Sequence, residues 1–413
     1  MRKSILIPIF SLTALMAGAQ SFQHFLDRIN SLPQPGRQAV ADSFTSICPA
    51  FPFIENDSFA HFIYTGAVSS VAMAGDATHW NPDQNFSLIQ GTTFWYLTKL
   101  YPADARLDYK LVTDGRNWIL DPRNPKTCMG GFGPNSELRM GSNIKPPETS
   151  YYSDIPHGTI IDTIFHSSIL ENTRVMKIYL PPSYPATAVE YPVILFNDGP
   201  DYLNLSSANN ILDYLIAHKM IKPVIALFIP PVDRDPEYAG AKIDLFTSFI
   251  ADELMPFIDR RYKTSRDPMK RAVIGASNGG NIALYLGLNK PGIFGKLAAQ
   301  SSNVIPAIDS SLRYGPKLDL AFYTDIGTYD IPELIPLVHN LAALLQAKGY
   351  SNTFSEIHEG HSWGNWKEHL RVPLMQFFPF TDGINENNST GNEIRIEQTK
   401  PDHKLMVEHG NVK

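Results

Sequence analysis

The feature that most constrains this chain is the octet Val273-Ile274-Gly275-Ala276-Ser277-Asn278-Gly279-Gly280. An apolar run at 272–274 leads into Gly-x-Ser-x-Gly, and Asn281-Ile282-Ala283-Leu284-Tyr285-Leu286-Gly287-Leu288 follows with helix-forming character. Strand, sharp turn and helix in that order is the setting of a nucleophile elbow. Glycine two positions either side of the serine lets the two backbones approach closely. The hydroxyl then stands at the carboxyl edge of a parallel sheet, and the helix N-terminus behind it favours developing negative charge. A Gly-x-Ser-x-Gly turn also occurs without any catalytic role, so the rest of the chain has to supply the partners.

An elbow of this kind needs alternating strands and helices around it. Apolar, strand-length runs fall at 175–180, 193–196, 224–229, 272–274, 296–300, 320–323 and 352–357, with helical patterns at 208–218, 241–262 and 334–348. The alternation predicts an α/β-hydrolase class domain over 150–381, with a mostly parallel, doubly wound sheet. Reacting groups in such sheets collect at the carboxyl ends of strands.

Upstream the pattern changes. Short strands are expected at 60–64, 68–74, 93–100 and 108–112, separated by Gly, Asn, Asp and Pro, which suggests a small β-sandwich over 58–145. Trp80, Trp95 and Trp118 lie there and read as core or sheet-face packing. Residues 20–57 read as a helical N-terminal segment: Phe22, Phe25, Leu26 and Ile29 fall at helical spacing, 33–36 breaks the run, a second piece follows to about 47, and 49–56 is a connector. Lys145-Pro146-Pro147-Glu148 is a linker, and 382–413 a flexible polar tail. At the start, Arg2 and Lys3 precede an apolar stretch at 5–16 and Ala17-Gly18-Ala19. This predicts a signal peptide over 1–19, cut after Ala19, and a secreted or periplasmic protein.

Bulk properties narrow the function classes. A chain of 413 residues has room for two domains, and 43% hydrophobic with 18% charged residues gives it ample core. The net charge is -6 and no Lys/Arg cluster stands out, which argues against nucleic acid as a partner. Beyond the N-terminus no stretch reaches the roughly 18 apolar residues of a membrane span. Cys48 and Cys128 are the two cysteines, and a disulfide or two separate thiols both fit them. No metal-binding spacing occurs, and neither a metal nor an organic cofactor is expected. Oligomeric state is not legible.

A serine hydroxyl needs a base, and the base an orienting carboxylate, in the chain order Ser, acid, His. Downstream of Ser277 lie His339, His358, His361 and His369. His339 and His369 fall within helical patterns. His361, in Glu359-Gly360-His361-Ser362-Trp363, sits in a loop after a strand and is preferred over His358. For the acid, Asp330 follows Leu320-Ala321-Phe322-Tyr323-Thr324-Asp325-Ile326-Gly327, with Asp325 as its rival; Asp330 also has the look of a helix cap. The oxyanion hole takes the backbone N–H of Asn278 and a second donor near Asn197-Asp198-Gly199-Pro200-Asp201-Tyr202.

These motifs together carry a resemblance. Tyr191-Pro192-Val193-Ile194-Leu195-Phe196-Asn197-Asp198-Gly199 with Tyr202, Arg234-x-x-Glu237-Tyr238, Glu253-Leu254-x-Pro256 with Tyr262, the elbow, Gly327-x-x-Asp330 and Gly360-His361-x-Trp363-x-x-Trp366 occur in order. They resemble the enterochelin-esterase and esterase-D-like serine hydrolases, which include feruloyl and acetyl-xylan carbohydrate esterases. Ala74-Gly75-Asp76, Trp80-Asn81, Gly91-x-x-x-Trp95-Tyr96, Asp108-Tyr109-Lys110, Asp114-Gly115, Trp118 and Asp121-Pro122 resemble the early-set, immunoglobulin-like modules that precede such domains. The resemblance implies Ser277 as nucleophile, Asp330 as acid and His361 as base. It makes Asp198, Tyr202, Arg234 and Glu237 substrate-side residues, and Trp363 a wall beside the histidine. It also implies one departure: relatives use the N–H of the residue after Asp-Gly as an oxyanion donor, and here that residue is Pro200, which has none. The donor then shifts to Gly199 or Asp201, or the hole is weaker.

The expectation is a secreted serine esterase acting on feruloyl or acetyl esters of polysaccharide, with a catechol-siderophore ester as the alternative substrate. A non-catalytic glycan- or siderophore-binding protein and an acyl transferase are the readings from other classes.

Overall fold

The computed structural model describes residues 21–48, 51–184 and 189–381; the signal peptide expected at 1–19 and the tail at 382–413 lie outside the described residues. Two helices, α1 (Phe22–Asn30) and α2 (Gln34–Ile47), open the chain. Ser21 caps α1 by accepting from His24 N–H at 3.2 Å. Ten strands follow: β1 (Phe53–Glu55), β2 (Phe59–Thr65), β3 (Val71–Gly75), β4 (Gln84–Asn85), β5 (Ser87–Leu88), β6 (Phe94–Leu100), β7 (Arg106–Thr113), β8 (Asn117–Ile119), β9 (Thr127–Gly130) and β10 (Gly133–Arg139). They form one sheet in the order β1-β2-β6-β5 and a second in the order β4-β3-β7-β10-β9, with β8 beside β7. Period-two alternation sorts the first sheet's side chains. Ala60 and Phe62 join Met73, Leu107 and Leu111 of the second sheet in one core. Ile63 and Phe94 point the other way, onto Phe22, Phe25 and Phe44 of the helices.

The segment expected as a connector contains β1, which pairs with β2 and so belongs to the first sheet. Strand β10 escaped the apolar pattern because two of its buried positions are polar. Buried Asn135 donates to Asp108 at 3.1 Å, and Ser136 Oγ accepts from Asp121 N–H at 2.8 Å. Trp95 is buried as expected, whereas Trp80 and Trp118 are exposed. No disulfide joins Cys48 to Cys128.

The larger sheet has eight strands: β11 (Thr159–Ser167), β12 (Asn172–Leu180), β13 (Val193–Asn197), β14 (Ile225–Ile229), β15 (Arg271–Ala276), β16 (Lys296–Gln300), β17 (Ala321–Tyr329) and β18 (Ser351–Gly360). Their order is β11-β12-β14-β13-β15-β16-β17-β18. Pairing is antiparallel between β11, β12 and β14 and parallel from β14 through β18. The helices are α3 (Gly199–Asn204), α4 (Ala208–Ala217), α5 (Arg234–Tyr238), α6 (Ile243–Ser248), α7 (Met255–Arg261), α8 (Asn278–Asn289), α9 (Pro306–Tyr314), α10 (Leu334–Ala347), α11 (Trp363–His369) and α12 (Arg371–Phe377). A π-helical turn at Phe249–Leu254 joins α6 to α7.

The central strands are buried on both faces, so they read as continuous apolar runs. Val193 and Leu195 pack with Phe246, Ile258 and Ile282 on one side. Ile194 and Phe196 pack with Ile211, Leu215 and Leu374 on the other. Strands β17 and β18 run past the apolar stretches at 320–323 and 352–357, pairing Asp325 with Ser355 and Tyr329 with Gly360. Hydropathy misses the extensions because their residues turn polar while the ladder continues. The parallel register brings the loops after β13, β15, β17 and β18 to one edge.

Candidate active site

Ser277 joins β15 to α8 at φ 55° and ψ -125°, a backbone region unfavourable for a side-chain-bearing residue. Hydrogen bonds hold it there. Its N–H donates to Gln300 O at 2.8 Å, and its C=O accepts from Gly280 and Asn281 N–H at 3.0 and 3.1 Å. Glycine at 275 is required by close approach, since a Cβ there would lie 2.0 Å from Gly279 O. Buried Asn281 ties the start of α8 to its surroundings, donating to Tyr238 O at 2.7 Å and accepting from Ile305 N–H at 3.0 Å.

Asn278 is the first residue of α8, where a backbone N–H has no intrahelical acceptor. Its side chain bridges Asp235 at 3.0 Å and Asn303 at 3.1 Å, which turns that amide away from the elbow's own backbone. Gly199 holds the equivalent first position of α3, after Asp198 in a left-handed conformation at φ 55°. A Cβ at 199 would come 2.2 Å from Phe228 C, so only glycine fits against β14. Among the described residues neither the Asn278 nor the Gly199 N–H has an acceptor, whereas Asp201 N–H is already committed to Asp198 O at 2.9 Å. With Pro200 lacking an N–H, Gly199 is the donor this loop has left.

His361 Nδ1 lies 2.7 Å from Asp330 Oδ1. A carboxylate only accepts, so Nδ1–H donates, and in the neutral ring the lone pair is then on Nε2. Asp330 is buried, and the same oxygen accepts from Ile331 N–H at 2.7 Å. It follows β17 directly and is not the cap of α10, which begins after Glu333. The Ser277 hydroxyl makes no hydrogen bond among the described residues; nucleophile–base contacts are often long before substrate arrives. The imidazole edge rests against Trp366, 4.9 Å between centroids at 88°. Trp366 Nε1 donates to Ser301 Oγ at 3.1 Å, beside the Gln300 carbonyl that holds Ser277.

The rival residues go elsewhere. Asp325 accepts from Ser301 N–H and Tyr323 OH, both at 2.9 Å, and burial pushes its pKa up to about 6. His358 pairs with Asp104 at 2.6 Å, and His339 with Glu356 at 2.5 Å. His369 contacts Glu359 at 2.9 Å. Burial alone would disfavour its charge, but Glu359 and the Asp325 charge outweigh that and raise its pKa above 6.5. Because the folded value is raised, the stability contributed by protonated His369 is complete below 6.5 and is lost as pH climbs through the folded value. His369→Gln is therefore expected to remove one downward step from the melting-temperature profile above pH 6.5.

Most of the residues expected on the substrate side stand behind it. Asp198 is buried and takes a two-pronged contact from Arg234 at 2.9 and 2.8 Å. Glu237 is buried in the same way against Arg174 at 2.9 and 2.7 Å. Tyr202 is fully buried, with its hydroxyl on Gln300 Oε1 at 3.0 Å. Trp363 packs edge-on between Tyr202 and Trp366, so the aromatic wall at His361 is Trp366 instead. Of that set, Arg234 alone keeps substantial exposure. Asp198, Glu237, Tyr202 and Trp363 are buried behind the loops, and Arg234 stays partly exposed beside them.

Known proteins resemble this chain in sequence and in fold. The Esterase family model matches residues 167–377. An uncharacterized Bacillus subtilis protein is 28% identical over 235 residues, covering 53% of this chain and 97% of its own length. An endo-1,4-beta-xylanase/feruloyl esterase of Xylanibacter ruminicola is 30% identical over 289 residues, 64% of this chain and 36% of that protein. The crystal structure of the enterobactin esterase from Shigella flexneri superposes with a TM-score of 0.67 at 22% identity, covering 78% of this chain and 94% of that one. The chain belongs to the Esterase family.

Proposed function

We propose that the protein is an exported serine carboxylic-ester hydrolase that removes feruloyl or acetyl groups from polysaccharide. The observation that carries the reaction class is the His361–Asp330 hydrogen bond, made by loops leaving the same sheet edge as the strained Ser277 turn. In this reading His361 Nε2 takes the Ser277 proton as Oγ attacks the ester carbonyl. The N–H groups of Asn278 and Gly199 receive the oxyanion. The tetrahedral adduct collapses, and the alcohol leaves with the proton from His361. Water then attacks the acyl-enzyme and gives a proton to His361, which returns it to Ser277 Oγ as the second adduct collapses and frees the acid. Asp330 holds the ring orientation and the imidazolium charge throughout.

We read residues 58–145 as the early-set, immunoglobulin-like sandwich and 150–381 as the α/β-hydrolase domain. Separate apolar cores in the two parts support the division. The charged and apolar pattern at 1–19 supports export.

Charge near the elbow bears on the substrate. Asp201 and Asp235 are solvent-exposed there, while Arg234 is tied to Asp198. An acidic rim disfavours an anionic iron–catecholate ester and tolerates a neutral glycan ester. The second reading, a catechol-siderophore ester, has the fold likeness to the enterobactin esterase behind it. A side-by-side assay of methyl ferulate, an aryl acetate and a ferric catechol-siderophore ester separates the two. The neutral esters are expected to turn over with little salt dependence, and the anionic ester slowly at low salt and faster as salt screens the rim. Preferred turnover of the anionic ester at low salt would reverse the substrate assignment.

A further inference from the structure

The loop carrying His361 is held from behind by the N-terminal sheets. Arg106, the first residue of β7, is fully buried. Its guanidinium donates to Asp108 at 2.7 Å, Glu137 at 3.1 Å and Ser362 Oγ at 3.2 Å. Glu359 Oε2 lies 3.6 Å from Nη1. Glu359 and Ser362 bracket His361 in sequence, and Ser362 also caps α11.

The same face leaves no slack. A Cβ on Gly364 would sit 2.0 Å from Arg106 Nη2, and one on Gly360 would sit 2.1 Å from Asp76 Cγ. Asp76 is itself fixed, accepting from Asp108 N–H at 2.8 Å. A second tie lies further along α11, where Arg139 donates to both oxygens of Glu368 at 3.0 and 2.6 Å.

From this geometry we infer that Arg106 is a positioning residue for His361: it fixes the 359–362 segment so that the imidazole faces Ser277. The N-terminal sheets are then part of the catalytic apparatus. This rests on the reading of His361 as the base. Arginine suits the task because its planar fork sets several directions at once. A lysine keeps the charge but is a single point and loses that fixed geometry.

The test uses the full chain with Arg106→Lys and Ser362→Ala. The readouts are kcat and KM on an aryl acetate, the rate of Ser277 phosphonylation, and the far-downfield proton resonance of the His361–Asp330 hydrogen bond. Misplacement of a catalytic group by about 1 Å lowers rates by up to roughly 100-fold. Arg106→Lys is expected to lower kcat and phosphonylation together by about 10- to 100-fold, with KM within about 2-fold and the resonance broadened. Ser362→Ala should move them the same way by about 10-fold.

Folded variants with wild-type kcat and an unchanged resonance would overturn the inference. So would a loss that matches only the fraction of unfolded protein. If Arg106→Lys does not fold, Ser362→Ala decides by the same readouts, since it leaves the ion pairs of Arg106 in place. His361→Ala is measured alongside. Activity surviving that change overturns the base assignment and this inference with it. Activity lost there but intact in the two variants overturns the positioning role alone.

Discussion

Ser277→Ala is expected to lower kcat on an aryl ester by on the order of 10³-fold or more, leaving the contribution of substrate binding and the oxyanion donors. The fold should survive the change. Ser277 sits half-buried on a turn whose backbone hydrogen bonds do not involve the hydroxyl. Alanine keeps the same unfavourable φ of 55°. Glycine relieves it, so Ser277→Gly is expected to be equally inactive but more stable by about 1 kcal/mol. Inactivity with retained or raised melting temperature separates lost chemistry from lost structure.

Asp330→Asn is expected to lower kcat by about 10³- to 10⁴-fold, the size of effect seen when the orienting carboxylate of such a triad becomes an amide. The cause is the tautomer. An amide NH₂ facing Nδ1 favours the form with its proton on Nε2, which cannot take the Ser277 proton. Asp325→Asn is the matched control. Asp325 contacts Ser301, Tyr323 and Gln300 and makes no hydrogen bond to His361, so kcat should stay within a few-fold. Its folded pKa is raised to about 6 from 3.8. Wild-type stability due to its proton is thus complete below 3.8 and lost as pH rises through about 6, and the variant should lack that slope. A dead Asp325→Asn beside an active Asp330→Asn would exchange the two roles.

Much of this was legible in the residues. Apolar runs in both-face-buried strands such as β13 and β15 mark themselves, and the glycines at 275 and 279 announced the tight turn before its geometry was known. What stayed hidden was polar and buried. Strand β10 buries Asn135 and Ser136, one on each face, so its pattern resembles a loop. The family resemblance puts Asp198, Tyr202 and Glu237 on the substrate side, and a resemblance carries no information on burial. Their partners Arg234, Gln300 and Arg174 are distant in sequence, and only the fold brings them together. Arg106 carried no signal of burial: Arg106, Asp108 and Lys110 alternate with Leu107, Tyr109 and Leu111, the pattern of a strand with one face in water. Nothing local pointed to Ser362 or Glu359 as its neighbours.

The most direct measurement is peptide mass spectrometry of protein acid-quenched during turnover of an aryl acetate. The account predicts a single acetyl adduct on Ser277, its loss with time in the native enzyme, and no adduct in Ser277→Ala. Steady turnover in Ser277→Ala, or an adduct on another residue that forms and decays at the rate of turnover, would contradict it.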